Sequence, residues 1–159
     1  MENLIISKLN FLLGEWQGNG GGQFPIINSF EYTEILTFKM DGINDLIHYE
    51  QRTWLKPNHI PAHWESGFIK PVVGKENFFE ISNAQDSGRV EVLVGELLTE
   101  QAKHILHFKM KLLQNDPRVV HSERIFTITN QNLSYIKKMA TQNTPYLQQH
   151  LEAELIKIV

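Results

Sequence analysis

Polar and apolar residues alternate along most of the chain. Phe30, Tyr32, Leu36, Phe38 and Met40 fall on one side of an extended segment, with Glu31, Thr33, Thr37 and Lys39 on the other. A period of two with one apolar side predicts a half-buried strand. Asp41-Gly42 then opens a turn. Leu46 to Leu55 alternates less cleanly, placing His48, Glu50, Arg52 and Trp54 together, and Lys56-Pro57-Asn58 breaks it. His63 to Pro71 reads as a short strand with His63, Glu65 and Gly67 on a shared side. Further strands are predicted over Phe78–Ile81, Arg89–Val94, Leu97–Thr99, His104–Leu113, Val119–Thr129 and Leu133–Ala140. Val73-Gly74-Lys75, Asp86-Ser87-Gly88, Asn115-Asp116-Pro117 and Asn130-Gln131-Asn132 supply turn chemistry between them.

The two ends of the chain read differently. Leu4 to Leu13 is apolar with Ser7, Lys8 and Asn10 interposed, the pattern of a short helical turn that plugs one end of a core. The glycine-rich run that follows has no G-K-[ST] ending, which excludes a phosphate loop. A strand from Trp16 to Gly22, bent by its glycines and plugged by Trp16, fits better. The tail, P-Y-L-Q-Q-H-L-E-A-E-L-I-K-I-V, fits a strand through Leu151, Ala153 and Leu155, and a helix face through His150, Leu151, Glu154, Leu155 and Ile158. A closing strand is preferred because a barrel leaves no exposed sheet edge. About nine strands at roughly 8–12-residue spacing precede it, joined by connections too short for parallel crossovers. The expected fold is therefore all-β: a ten-stranded antiparallel barrel of the lipocalin or fatty-acid-binding-protein kind, with short helical turns, formed by one domain over residues 1–159.

Composition narrows the function. The chain has 159 residues, 42% of them hydrophobic, and a net charge of −3. No basic stripe marks a nucleic-acid partner. The absence of cysteine excludes thiolate metal sites, Cys nucleophiles and disulfides. No apolar run of about 18 residues predicts a membrane span, and the N-terminal residues do not resemble a signal peptide. The expectation is a cytoplasmic protein.

Several residues bear on chemistry. His59 and His63 have a spacing that invites zinc, but Pro61 between them predicts a turn and no third ligand is evident. His104 and His107 are expected at the surface. Glu50 and Glu65 are expected to pair across strands with Arg52 or Lys70 rather than to act as a hydrolytic carboxylate pair. No G-x-S-x-G elbow supports a hydrolase. His150 has two readings, a satisfied core residue or a neutral metal ligand in a dry pocket. The residues alone leave a barrel whose interior holds histidine, aromatics and aliphatics, able to bind an apolar molecule or a haem.

A resemblance goes further. F-L-L-G-E-W-Q-G-N-G-G-G-Q-F-P (Phe11–Pro25) resembles the G-x-W-x-G-x-G signature of the nitrobindins, a haem-binding β-barrel family. The likeness continues, in order, through F-E-Y-T-E, Y-E-Q-R-T-W, H-W-E-S-G-F-I-K-P, A-Q-D-S-G-R-V-E-V, R-I-F-T-I, L-S-Y-I-K-K-M-A and P-Y-L-Q-Q-H-L-E-A-E-L. It implies one ferric haem b per chain, with His150 as the proximal ligand and His63 on the distal side. Arg118 matches a basic residue near the haem edge. Ile26 stands where the family commonly has a hydroxyl residue near the haem, and Gln149 where it usually has proline. The resemblance also implies reversible nitric oxide binding and isomerisation of peroxynitrite to nitrate. It leaves a homodimer open. The alternative is a carrier of a fatty acid or other small apolar ligand without catalysis, although no long helical segment is present to form a lid.

Overall fold

The computed structural model describes residues 4–159. A 3-10 helix, Ile5–Leu12, leads into ten strands: β1 (Gly14–Phe24), β2 (Ile27–Lys39), β3 (Ile47–Leu55), β4 (Ile60–Pro71), β5 (Phe78–Gln85), β6 (Val90–Glu100), β7 (Lys103–Gln114), β8 (Val119–Thr129), β9 (Asn132–Thr141) and β10 (Gln148–Lys157). Each strand pairs antiparallel with its sequence neighbours, and β10 returns to β1 to close the barrel. The tail is thus a strand, and closure leaves no free edge. Among the described residues no helix is long and apolar enough to cross a membrane.

The up-and-down course gives the barrel two unlike ends. At one end the 3-10 helix is a plug. Ile6, Leu9 and Leu12 are fully buried, and Trp16 beneath them donates its indole N–H to the Leu12 carbonyl at 2.7 Å. Asp45, in the β2–β3 loop, accepts the Ile6 backbone N–H at 2.6 Å and ties the plug to the barrel. At the other end, here called the mouth, lie connections 25–26, 56–59, 86–89, 115–118 and 142–147.

The glycines of β1 explain how this wall is built. Gly18 faces β10 so closely that an added Cβ would lie 2.0 Å from the Glu154 carbonyl oxygen. At Gly20 a Cβ would lie 2.3 Å from the Tyr32 ring, which occupies the space a side chain would need. Alternate glycines therefore let β1 lie against its neighbours while aromatic rings cover its inner side.

Five ladder irregularities sit near the mouth, at Gly22/Phe24, Thr53/Trp54, Val92/Leu93, Val119/His121 and Gln149/Leu151. Bulges re-aim side chains at barrel rims. One of them corrects the reading of Pro61, which lies within β4 opposite Trp54 and not in a turn. The turn precedes it, with His59 at φ 54° and stacked on Trp54. His104 is also misplaced by the sequence reading. It shares the inward side of β7 with buried Leu106 and Phe108, and its ring stacks on Phe11 of the plug at 4.0 Å. His107 does face outward and pairs with Glu123 at 2.6 Å.

Candidate functional site

His150, His63, Ile26 and Arg118 are far apart in sequence, and the topology gathers all four at the mouth. His150 occupies the bulge of β10, where Gln149 pairs with Lys138 and Leu151 with Lys137, leaving His150 as the extra residue. Its Nδ1–H donates to the Gln23 carbonyl at 3.1 Å, and the edge of Phe24 packs near it at 5.5 Å between ring centres. A carbonyl can only accept, so this bond fixes the proton on Nδ1 and leaves Nε2 with its lone pair free. Burial lowers the tendency of the ring to protonate, against the opposing pull of the Gln23 carbonyl, and the cations Lys137 and Arg89 lower it further. A half-buried neutral imidazole with one oriented N–H and one free nitrogen is the chemistry a metal ligand needs.

His63 begins the inward series of β4. Its Nε2–H donates to Glu65 at 3.1 Å, and Asp86 lies 3.7 Å from Nδ1. Glu65 does not pair with Arg52 or Lys70. It is fully buried and bound by Arg124 through two nitrogens and by the Tyr49 hydroxyl at 3.0 Å. Arg52 lies instead over the Trp64 ring outside the barrel, and Lys70 pairs with Glu80 near the closed end. Arg124 also donates to Glu91 at 2.8 Å, and Ser122 donates to the other Glu91 oxygen at 2.6 Å. Burial alone would raise the Glu65 carboxyl; Arg124, His63 and Lys137 override it and hold Glu65 well below the usual carboxylate range. Glu91 is likewise held at about 2, where Arg124, Lys137 and Ser122 outweigh its burial.

Ile26 projects from the β1–β2 turn, 69% exposed, and offers an apolar surface without a hydrogen-bonding side chain. Tyr146 and Leu147 add exposed apolar surface in the β9–β10 loop. Arg118 is held at the rim by Asp116, to which its Nε donates at 2.9 Å. Asp116 also binds Arg89 at 2.5 Å. These bonds, chiefly from Arg118, hold the Asp116 carboxyl well below the usual range.

Beneath the mouth the interior differs from the expected mixture of aromatics and aliphatics. Glu34, Glu65, Glu91, Arg124 and Lys137 are all buried there. Glu34 accepts from Tyr135 at 2.5 Å and from Gln51 at 2.7 Å, with the Tyr32 hydroxyl 2.8 Å from that of Tyr135. Burial pushes the Glu34 carboxyl up to about 7, in spite of these donors. A cavity of about 20 Å³ remains, lined by residues that include Tyr49, Glu65, Arg124, Tyr135 and Lys137. Leu36, Phe38, Ile69, Ile81, Phe126 and Leu151 also line it, so charged and apolar side chains share this interior. Sequence reasoning missed these charges; the one signal was Glu34 itself, which interrupts the inward series between Tyr32 and Leu36.

The fold and the mouth together define a closed ten-stranded β-barrel with a half-buried histidine at its open end. The family is settled by comparison: the model of the THAP4-like, heme-binding beta-barrel domain matches residues 6–157, and the chain belongs to that family. A protein from Arabidopsis thaliana named peroxynitrite isomerase Rv2717c is 35% identical over 154 residues, covering 97% of this chain and 89% of its own length. Peroxynitrite isomerase 2 of Mycobacterium ulcerans (strain Agy99) is 32% identical over 147 residues, covering 91% of this chain and 89% of its own. The crystal structure of Rv2717c from M. tuberculosis superimposes with a TM-score of 0.88 at 29% identity, covering 99% of each chain.

Proposed function

We propose that the whole chain acts as one domain that binds a single ferric haem b at the mouth, binds nitric oxide there, and isomerises peroxynitrite to nitrate. The observation that carries this reading is the free Nε2 of His150, set by the Nδ1–H bond to Gln23. The family membership and the names of the relatives support it.

The donor set fits the group. His150 would supply the protein ligand, and the Gln23 carbonyl holds the ring in one tautomer and one orientation. Ile26 would meet the apolar face, and Arg118 the carboxylates at the edge, where Asp116 holds it. Bound there, the iron would supply a Lewis-acid and redox centre for small nitrogen oxides. The chain does the rest. His63, oriented by its Nε2–H bond to Glu65, would shape the site where the ligand reacts. The cations at the rim would draw an anionic substrate toward the mouth.

The test is stopped-flow decay of peroxynitrite with the haem-loaded protein, combined with anion analysis of the product. The expected result is decay that accelerates in proportion to protein concentration, with nitrate rising at the expense of nitrite. Decay no faster than with the haem-free protein would refute the isomerase reading.

A further inference from the structure

His63 at the mouth is joined to buried charges on the far wall of the barrel. Its Nε2–H reaches Glu65 Oε2 at 3.1 Å. Glu65 is gripped through both oxygens by Arg124, whose two terminal nitrogens bind Oε1 and Oε2. Glu65 stands on β4 and Arg124 on β8, which are not neighbours in the sheet, so this pair crosses the interior. Arg124 Nη2 also donates to Glu91 Oε1 at 2.8 Å, and Ser122 donates to the other Glu91 oxygen at 2.6 Å. The His63 side chain is 28% exposed, whereas those of Glu65, Arg124 and Glu91 are 0%, 6% and 2% exposed. The chain of bonds therefore runs from the accessible mouth into the dry interior.

Glu65 has two donors on each oxygen. Oε1 takes Arg124 and Tyr49, and Oε2 takes Arg124 and His63. Turning the carboxylate would break the two-point contact with Arg124 where no water replaces it. Lys137 of β9 adds positive charge around Glu65 and Glu91. A carboxylate held ionised in this way only accepts, so a neutral His63 ring carries its proton on Nε2 and its lone pair on Nδ1. Nδ1 is turned to the rim, 3.7 Å from Asp86 of the β5–β6 turn. Buried ion pairs are often no more stabilising than apolar side chains of similar volume. What this network does that an apolar cluster could not is present an oriented acceptor to His63.

We propose that Arg124 is a positioning residue for the mouth: by gripping both oxygens of Glu65 it holds the His63 ring in the Nε2–H form, with Nδ1 directed to the rim. At the rim the neutral ring is thus an acceptor and not a donor. Arg124 acts through Glu65 and touches neither the mouth nor a ligand there. Its importance for the reaction rests on the reading above, in which ligands react beside His63. The geometry itself belongs to the haem-free chain. Lysine in place of Arg124 would keep the charge but lose the fork that matches both carboxylate oxygens.

The test uses the haem-free full chain, so its failure is distinct from a failure of the haem reading. Proton–nitrogen NMR spectra of the histidine rings are recorded at about pH 8, where an ordinary histidine is neutral. The His63 signals are identified by their absence in His63→Gln. In the wild type the His63 Nε2–H proton should be seen directly, sheltered from exchange with water, and Nδ1 should be unprotonated. A proton on Nδ1, or no observable Nε2–H, would overturn the proposal. In Arg124→Lys, shown to be folded by circular dichroism, the Nε2–H signal should be lost to exchange. Its persistence unchanged would show that Arg124 does not hold His63. If Arg124→Lys does not fold, Tyr49→Phe decides. It removes the other donor from Glu65 Oε1 and leaves the grip of Arg124 intact, so the signal should persist. Loss of the signal in Tyr49→Phe would overturn the proposal.

Discussion

A single bulge determines what His150 can do. Strict alternation with Leu151 and Ala153 would send its side chain outward with Glu152 and Glu154, whereas as the extra residue of β10 it reaches the carbonyl of Gln23. Glu34 shows a different consequence of position. Its carboxyl is raised from 4.5 to about 7 mainly by burial, so the folded state binds the proton more tightly than the unfolded chain. Its contribution to stability is therefore complete below the unfolded value and lost as pH rises through the folded one. Glu34→Gln is neutral at every pH and should remove that loss. Relative to wild type it should gain more at about pH 8 than at about pH 4, by roughly 3 kcal/mol at most. Denaturant titrations at the two pH values check this, and an equal difference at both would contradict it. Arg118 belongs to the rim. Its side chain is 80% exposed, and exposed cations contribute little to holding a charged partner. Arg118→Ala should weaken haem retention by less than about tenfold, measured as haem transfer to apomyoglobin. Complete haem loss from the folded variant would give Arg118 a larger role.

At the scale of elements, the seam between β1 and β10 closes the barrel and depends on glycine for close approach. A Cβ at Gly18 meets the Glu154 carbonyl at 2.0 Å, whereas one at Gly21 meets nothing closer than the Phe30 carbonyl at 3.6 Å. Gly18→Ala should therefore destabilise by about 1–3 kcal/mol, as overpacking does, while Gly21→Ala stays close to neutral. Thermal melts of the two variants measure this, and equal costs would show that the seam yields. The strands and the plug were legible in the sequence because period two and turn residues are local signals, whereas the tail fits strand and helix alike and is read as a strand because a barrel leaves no free edge. The buried ion network was not. Glu65 and Arg124 lie 59 residues apart and meet only across the closed barrel. Read alone, each is a charged residue on a strand, and charge ordinarily predicts the outer side. Bulges are equally silent, since one extra residue changes the direction of a side chain without changing composition. The candidate site residues His150 and His63 were named through resemblance, and their hydrogen-bond partners Gln23 and Glu65 became visible only with the fold.

At the scale of the whole molecule, the barrel divides into a plugged end, a polar charged layer and an open mouth. The plug and Trp16 seal the lower end with apolar packing. The layer of Glu34, Glu65, Glu91, Arg124 and Lys137 occupies the interior below the mouth. The proposed ligand position is therefore the mouth, where His150 and His63 stand at the starts of β10 and β4. The measurement that bears most directly on this is a titration of the haem-free protein with haemin, followed by visible absorption, for the wild type and His150→Ala. The wild type should develop a Soret band that saturates at one equivalent. His150→Ala should remain a folded barrel, fail to develop that band, and recover it in part when free imidazole is added. A wild-type spectrum in the variant, or no Soret band in the wild type, would contradict haem coordination by His150.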